Sequence, residues 1–191
     1  ANNSYAKGIV LTLANDCIGT GPRLQLLSED DQLNSQLEAA FIQWSKAVNL
    51  AEKLRTMRMA KATDGETFAV LGINPQLDSA VQLDVQLVEA DRVMEPAGSQ
   101  FPASVDGIVM DAWGNPQAYT ILKRHPGDMG YASWMDDYDV VPADAVIHWF
   151  RGDRPTQHRG IPEITPALPL FAQLRRYTLA VIAAAETAAD F

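Results

Sequence analysis

The sequence is poor in the residues that most often carry redox or metal chemistry. Of its 191 residues only one, Cys17, is a cysteine, and three are histidines, His125, His148 and His158. A single cysteine excludes a disulfide within the chain and fits a reducing compartment. No histidine has another histidine or a cysteine at the spacing of a zinc site. These shortages argue against a disulfide scaffold and a zinc protein.

Long apolar runs and an excess of positive charge are also lacking. No run reaches the roughly 18 apolar residues that a membrane-spanning helix needs, and no signal peptide is recognisable. The net charge of −9 at pH 7 argues against a general nucleic-acid-binding protein, which normally carries a basic excess. With 47% hydrophobic and 20% charged residues, the composition is that of an ordinary globular protein.

The usual catalytic motifs are absent from the sequence. The turn at residues 19–21 lacks the later glycine and the lysine of a phosphate-binding loop, and there is no Gly-x-Ser-x-Gly elbow. The one candidate metal site combines Asp136, Asp137 and Asp139 with His125 and Asp128, because carboxylates suit Mg²⁺ or Ca²⁺. An acidic loop is the simpler interpretation. A metal-dependent hydrolase or nuclease using the Asp136–Asp139 cluster therefore stays the alternative function.

Helical periodicity is clear in the first third of the chain. A first helix is predicted up to the Gly19–Pro22 turn, with one apolar face that would bury Cys17. A capping box at Ser28 and Asp31 predicts the start of a second helix, and a third is expected at about 50–62. The apolar stripe of the second helix contains Leu33, Leu37, Ala40, Phe41 and Trp44. The cations of the third helix are expected to form a solvated face: Lys53, Arg55, Arg58 and Lys61.

After residue 65 the period changes from helical to extended. Strands are predicted at 67–73, 83–87 and 146–150, and a β-hairpin joins 107–111 to 118–122. His148 lies in the last strand and is expected to be a core histidine with a backbone partner. An alanine-rich helix starts near Pro166. Helices, then strands, then a helix predict an α+β fold with a central, mainly antiparallel sheet.

Neither end of the sequence has the signals of a natural terminus. There is no initiator methionine, and the last helix reaches Phe191 without a C-cap glycine. We therefore expect residues 1–191 to be one fragment of a longer protein.

Several motifs occur in the same order as in a known family. They include the Asn2–Gly8 opening, Asn15–Pro22, Ala62–Phe68, Leu87–Arg92, Gly107–Tyr119, Val141–Arg151, Asp153–Pro162 and a helix with Leu174–Tyr177. In these segments the chain resembles the lambda-type family of tailed-bacteriophage portal proteins. The resemblance implies a head-tail connector that forms a ring, typically of twelve subunits, at the capsid vertex of a phage or prophage. It implies no catalytic residues and no cofactor.

The resemblance also implies a set of partners. These are the terminase large subunit, capsid and head-completion proteins, and double-stranded DNA that passes through transiently; no membrane is involved. The location implied is the virion, after assembly in the host cytoplasm. Residues 1–191 would form a wing-like region, with a stem helix starting in about 166–191. A binding module that acts as a monomer or dimer is a third class left open.

Two sets of residues are candidate intersubunit contacts within such an assembly. The small side chains of Ala184 and Ala188 would let the last helix pack closely against a neighbour, although a plain helix of high intrinsic propensity explains them equally well. Arg151, Arg154 and Arg159 lie in a loop bounded by proline and glycine, after an acidic middle segment. They are expected to form intersubunit or anchoring salt bridges rather than contacts to DNA.

Overall fold

The computed structural model describes residues 3–96, 101, 104–128 and 137–190. Its helices are α1 (Ser4–Ile18), α2 (Asp31–Ala47), α3 (Leu50–Thr63) and α4 (Leu168–Ala189). Its strands are β1 (Glu66–Ile73), β2 (Leu83–Val88), β3 (Ser104–Val105), β4 (Ile108–Met110), β5 (Pro116–Leu122), β6 (Tyr138–Pro142) and β7 (Val146–Phe150). The predicted α+β order of elements is confirmed.

Helix α1 ends where its sequence predicts, but its buried face is shorter than expected. The Asn3 side chain accepts a hydrogen bond from the Ala6 amide at the start of the helix. At its end Gly19 has a φ of 53°, and its amide donates to the Asn15 carbonyl. Only Val10 and Ala14 of the helix are buried, and Cys17 is exposed. The prediction that Cys17 is buried is therefore wrong. Periodicity identified the inner face, but not how far the neighbouring α3 covers it.

Helix α2 starts later than the capping box predicted. Its N-cap is Asp30, whose carboxylate accepts from the Leu33 amide at 2.9 Å. Ser28 instead donates to the side chain of Asn34 at 2.5 Å. An aspartate directly before the helix competes with Ser28 for the same role, because both are good caps.

The apolar stripe of α2 is only half covered by the rest of the chain. Phe41 and Trp44 pack against the core, and the Trp44 indole donates to the Leu83 carbonyl at 2.7 Å. Leu37 and Leu33, about one and two turns before Phe41 on the stripe, are each 46% exposed. The predicted stripe is present, but its N-terminal half is only partly covered by the described residues.

Helix α3 buries charge that was expected to be solvated. Lys61 is 8% exposed, and its ammonium donates to Glu163, which also accepts from Arg58 at 2.8 Å. The predicted solvated face is therefore wrong for these two cations. Their partner lies more than 100 residues away in sequence, so no local pattern could reveal it.

Two antiparallel sheets form the centre of the described chain, where the sequence had predicted one. The first has the order β2-β1-β7, and the second has the order β3-β4-β5-β6. In the first sheet β1 is central, with Phe68 opposite Val88 on one side and His148 on the other. The predicted hairpin is formed by β4 and β5, with a register shift at Met110.

The alternation of side chains along β1 divides the core into two layers. Phe68 faces the second sheet and packs with Val93, Ile108 and Tyr119. Ala69 faces the helices and packs with the cluster of Val48, Leu50, Met57 and Val85. The order of layers is therefore helices, first sheet, second sheet. Strand β1, in the first sheet, is covered by the helices on one face and by the second sheet on the other. This position explains why β1 reads as a continuous apolar run.

Candidate functional site

A buried carboxylate, that of Glu66, lies at the start of β1. Its side chain is only 5% exposed. One oxygen accepts from Arg159 Nε at 2.6 Å, and the other accepts from the Gly160 amide at 2.8 Å. That second oxygen also lies 3.0 Å from Nε2 of His148 on β7. Glu66 thus connects β1, β7 and the loop before α4.

Arg159 extends this network to the backbone of a distant segment. Its Nη1 donates to the carbonyls of Val93 and Asp106 at 2.9 and 2.6 Å, and Nη2 donates to that of Ala90 at 3.2 Å. The guanidinium also lies 5.5 Å from the centre of the Phe68 ring. A planar group with five donors suits such a junction, which a lysine could not reproduce.

Aromatic rings enclose the histidine of this network. His148 stacks between Phe68 and Phe150, with ring centres 4.1 and 4.4 Å away, and the Tyr119 hydroxyl lies 3.4 Å from Nδ1. The prediction of a core histidine is confirmed, since its side chain is 6% exposed. Its principal partner is a carboxylate rather than the expected backbone group.

Close backbone contact allows the Arg159 loop to reach β1. A Cβ on Gly160 would lie 2.1 Å from the Gly65 carbonyl oxygen, and one on Gly65 would lie 2.4 Å from the Ile161 carbonyl carbon. Gly65 also has φ of +92°. Side chains at these two positions would separate the loop from the strand, so the glycines are required for the Glu66 contacts.

The pKa of Glu66 makes this network sensitive to acid. Burial pushes the pKa up, but hydrogen bonds from His148, Arg159 and Gly160 outweigh burial and hold the pKa below its ordinary value of 4.5. The pKa of Glu163 is likewise lowered, because Lys61 and Arg58 outweigh its burial. Both carboxylates therefore stabilise the fold while they are ionised.

We expect stability to fall on acidification, with a slope that depends on Glu66. A carboxylate with a lowered folded-state pKa contributes fully above its unfolded pKa, and its contribution is lost as the pH falls through the folded value. The free energy of unfolding should therefore decline below about pH 4.5. In Glu66→Gln the decline should be shallower, as measured by urea unfolding between pH 7 and 3. An equal slope in both proteins would contradict this assignment.

The groups around Glu66 join separate parts of the chain to one another. Each charged group bonds to another part of the same chain, and both Glu66 oxygens are occupied. A depression of about 610 Å³ opens beside Arg159, and Asp91 and Asp106 are among its lining residues. Neither a nucleophile next to a base nor an oxyanion site is evident around this depression in the described residues.

The other predicted contact residues lie at the surface. Arg151 pairs with Asp153 through two bonds of 2.7 and 3.0 Å, and Arg154 is exposed three residues further on. Ala184 and Ala188 are exposed on α4. Arg159 is the exception, because it is partly buried and its bonds to distant residues anchor its loop to the rest of the chain. A contact across a subunit boundary stays a prediction for all five residues.

The acidic cluster of the alternative function is only partly visible. Asp136 lies outside the described residues. Asp137 lies 2.8 Å from the Lys123 ammonium, and Asp139 lies 3.8 Å from it. A lysine is not a metal ligand there, and its charge opposes a bound cation. In the described part of the chain, no group of three or more His, Cys, Asp or Glu side chains is placed to hold a metal ion.

A large apolar groove lies between α1, α3 and α4, and sequence reasoning missed it. Its volume is about 930 Å³, and it is lined by apolar side chains that include Val10, Leu11, Met59, Ile164, Leu168, Phe171 and Leu179. Its charged lining residues are Lys7, Arg175 and Arg176. We name it the α1–α4 groove. The available signal was the apolar surface of α4, where Leu168, Leu174 and Leu179 do not fit one buried face.

Helix α4 exposes large apolar side chains along its length. None of its 22 residues is buried. Leu170, Leu179 and Tyr177 are 64%, 59% and 69% exposed. Among the described helices, none is long and apolar enough to cross a membrane. An exposed apolar helix beside an apolar groove is typical of a surface that contacts another molecule.

Comparison with known proteins identifies the family of the chain. The family described as Phage portal protein, lambda family, matches residues 1–191. The chain therefore belongs to the lambda family of phage portal proteins, as its motifs had indicated. It is also similar to a protein named "Probable portal protein" of Halomonas phage phiHAP-1, with 26% identity over 178 residues. That alignment covers 83% of this chain but only 34% of the relative, so the chain spans about a third of that protein's length.

Proposed function

We propose that this chain is a structural part of a head-tail connector through which double-stranded DNA is packaged and ejected. The observation that carries the proposal is the match of residues 1–191 to the portal family. In this role the polypeptide forms a closed ring at the portal vertex of the virion, after assembly in the host cytoplasm. Terminase large subunit, capsid proteins and head-completion proteins dock on the ring.

The charge of the chain supports a passage role rather than a binding role. Each cation that neutralises a DNA phosphate adds affinity and salt dependence, which would hold DNA in place. The net charge of −9 opposes such retention. Arg58, Lys61 and Arg159 are moreover engaged with Glu163 or Glu66. The proposed protein therefore guides DNA without catalysing a reaction, and nucleotide hydrolysis belongs to its motor partner.

Within the ring, we assign residues 1–191 to a wing-like region, with α4 as the start of a stem. The compact layers of helices and sheets would form the wing, and α4 would extend towards the rest of the polypeptide. Arg151, Arg154, Ala184 and Ala188 are exposed, as contacts between subunits require. Arg159 would support such contacts indirectly, by holding the loop with Arg151 and Arg154 against β1.

The full-length polypeptide that contains this chain should form rings with a central channel. The measurement is electron microscopy together with native mass spectrometry of the purified protein. A channel wide enough for duplex DNA and a single dominant subunit number are expected. A protein that stays monomeric or dimeric at micromolar concentration would contradict the proposal and favour a simple binding module.

A further inference from the structure

Two surfaces of the described chain complement each other. The first is the α1–α4 groove, which is apolar and has three cations and no carboxylate among its lining residues. The second is the exposed start of α2 and the loop before it, which we name the α2 patch: Leu27, Glu29, Asp30, Asp31, Leu33 and Leu37. The α2 patch is apolar as well, but its charges are all negative.

The α2 patch is exposed, and hydrogen bonds fix its loop to the helix. Leu27 is 89% exposed, and Leu33 and Leu37 are each 46% exposed. Residues 24–45 contain no lysine or arginine. The loop is fixed to the helix, because the Leu26 amide donates to Glu38 at 2.8 Å and Asn34 donates to the Ser28 carbonyl at 3.0 Å. Leu33 and Leu37 are separated by one helical turn, the spacing by which a helix enters an apolar groove.

We propose that the α1–α4 groove of one subunit receives the α2 patch of the next subunit in the ring. This proposal rests on the proposed ring function and specifies its partner surfaces. Leucines of the patch fill the apolar floor, and Glu29 and Asp31 face Lys7, Arg175 and Arg176 at the rim. Opposite charges at the rim select this partner and its orientation.

The position of the two surfaces favours a ring over a closed dimer. No α2 residue lines the groove, so one copy can offer its patch to one neighbour and its groove to another. Contact between two different surfaces is heterologous, and it produces rings when the rotation closes. A two-fold dimer would instead require one surface to match itself.

A matched pair of leucines on α4 tests the proposal in the full-length polypeptide. Leu179 lines the groove, while Leu170 lies outside it, and both are well exposed at 59% and 64%. Neither substitution should disturb the folding of the subunit. Leu179→Asp should reduce the fraction of subunits in rings by about tenfold or more, because a charge would enter an apolar contact. Leu170→Asp should assemble like the wild type.

Charge exchange and cross-linking identify the occupant. Arg175→Glu with Arg176→Glu should impair assembly, as should Glu29→Arg with Asp31→Arg, and the four changes together should restore it. In a Cys17→Ser background, Leu37→Cys and Leu179→Cys should form disulfides between neighbouring subunits, seen as a ladder on a non-reducing gel. A disulfide within one polypeptide, or a groove cysteine protected by another segment of the same chain, would overturn the proposal.

The outcomes separate this inference from the proposed function. Rings that form equally well with Leu179→Asp and Leu170→Asp would refute the groove contact and leave the portal role intact. Absence of rings in the wild type would refute the portal role itself.

Discussion

Replacing Glu66 with alanine is expected to lower the free energy of unfolding by about 3–5 kcal/mol, the cost of breaking a buried ion pair from one side. The substitution removes the carboxylate partner of Arg159 and leaves the Gly160 amide without its acceptor. Glu66 is 4% exposed, so the ion pair is shielded from solvent in the folded wild type. Urea unfolding of the wild type and the variant measures the difference.

Two further variants make the Glu66 prediction specific. Glu89→Ala removes a carboxylate whose side chain is 71% exposed, and it should change stability by less than about 0.5 kcal/mol. Glu66→Gln keeps the shape of the side chain and one oxygen acceptor. Its loss in free energy of unfolding should therefore lie between those of Glu66→Ala and Glu89→Ala. If Glu66→Ala and Glu89→Ala were equally stable, the network would not contribute to folding as the geometry indicates.

Removal of the Phe68 ring is the second large effect we expect. Phe68 is fully buried, stacks on His148 at 4.1 Å and meets Tyr119 edge-on at 5.9 Å. Phe68→Ala should destabilise the chain by about 3–5 kcal/mol. The substitution loses the free energy of burying the ring, and it leaves a cavity between the two sheets. Thermal and urea unfolding would both report it.

Phe150 provides the matched control for Phe68. It also stacks on His148, at 4.4 Å, but it is only half-buried on the outer strand β7. Phe150→Ala should therefore cost clearly less than Phe68→Ala. Equal losses at both positions would mean that contact with His148, rather than burial between the sheets, determines the energy.

The substitutions at Glu66 and Phe68 should not be additive. Both residues contact His148 and Arg159, so the loss of either loosens the partners of the other. Residues that share partners commonly show coupling of about 0.5–3 kcal/mol. The double variant should accordingly lose less stability than the sum of the two single losses.

The elements of the fold could be predicted because their signals are local. Gly19 ends α1, and the change from helical to alternating spacing marks β1 and β2. The end of α3 was found within a residue, since Asp64 and Gly65 follow it directly. The prediction of Ser28 as the N-cap of α2 was wrong, because Asp30 is an equally good cap two positions later. Local chemistry does not choose between the two.

The contact network could not be predicted in the same way. Glu66 meets partners 82 and 93 residues further along the chain, and Lys61 meets one 102 residues away. A charged side chain on a helix is predicted to be solvated unless its distant partner is known. The division of the α2 stripe into a covered and an exposed half has the same origin, because the extent of the neighbouring layer is a tertiary property.

By itself, the sequence determined the order of helices and strands, the α+β class, the absence of common catalytic motifs and the membership in a portal family. Those conclusions depend on periodicity, capping residues and ordered motifs, which are properties of neighbouring residues. Only the tertiary structure decided that Glu66 and Lys61 are buried with partners, that Cys17 is exposed, and that an apolar groove lies beside α4. The reason is physical: burial and pairing depend on which distant surfaces meet, and chain-local interactions do not specify that.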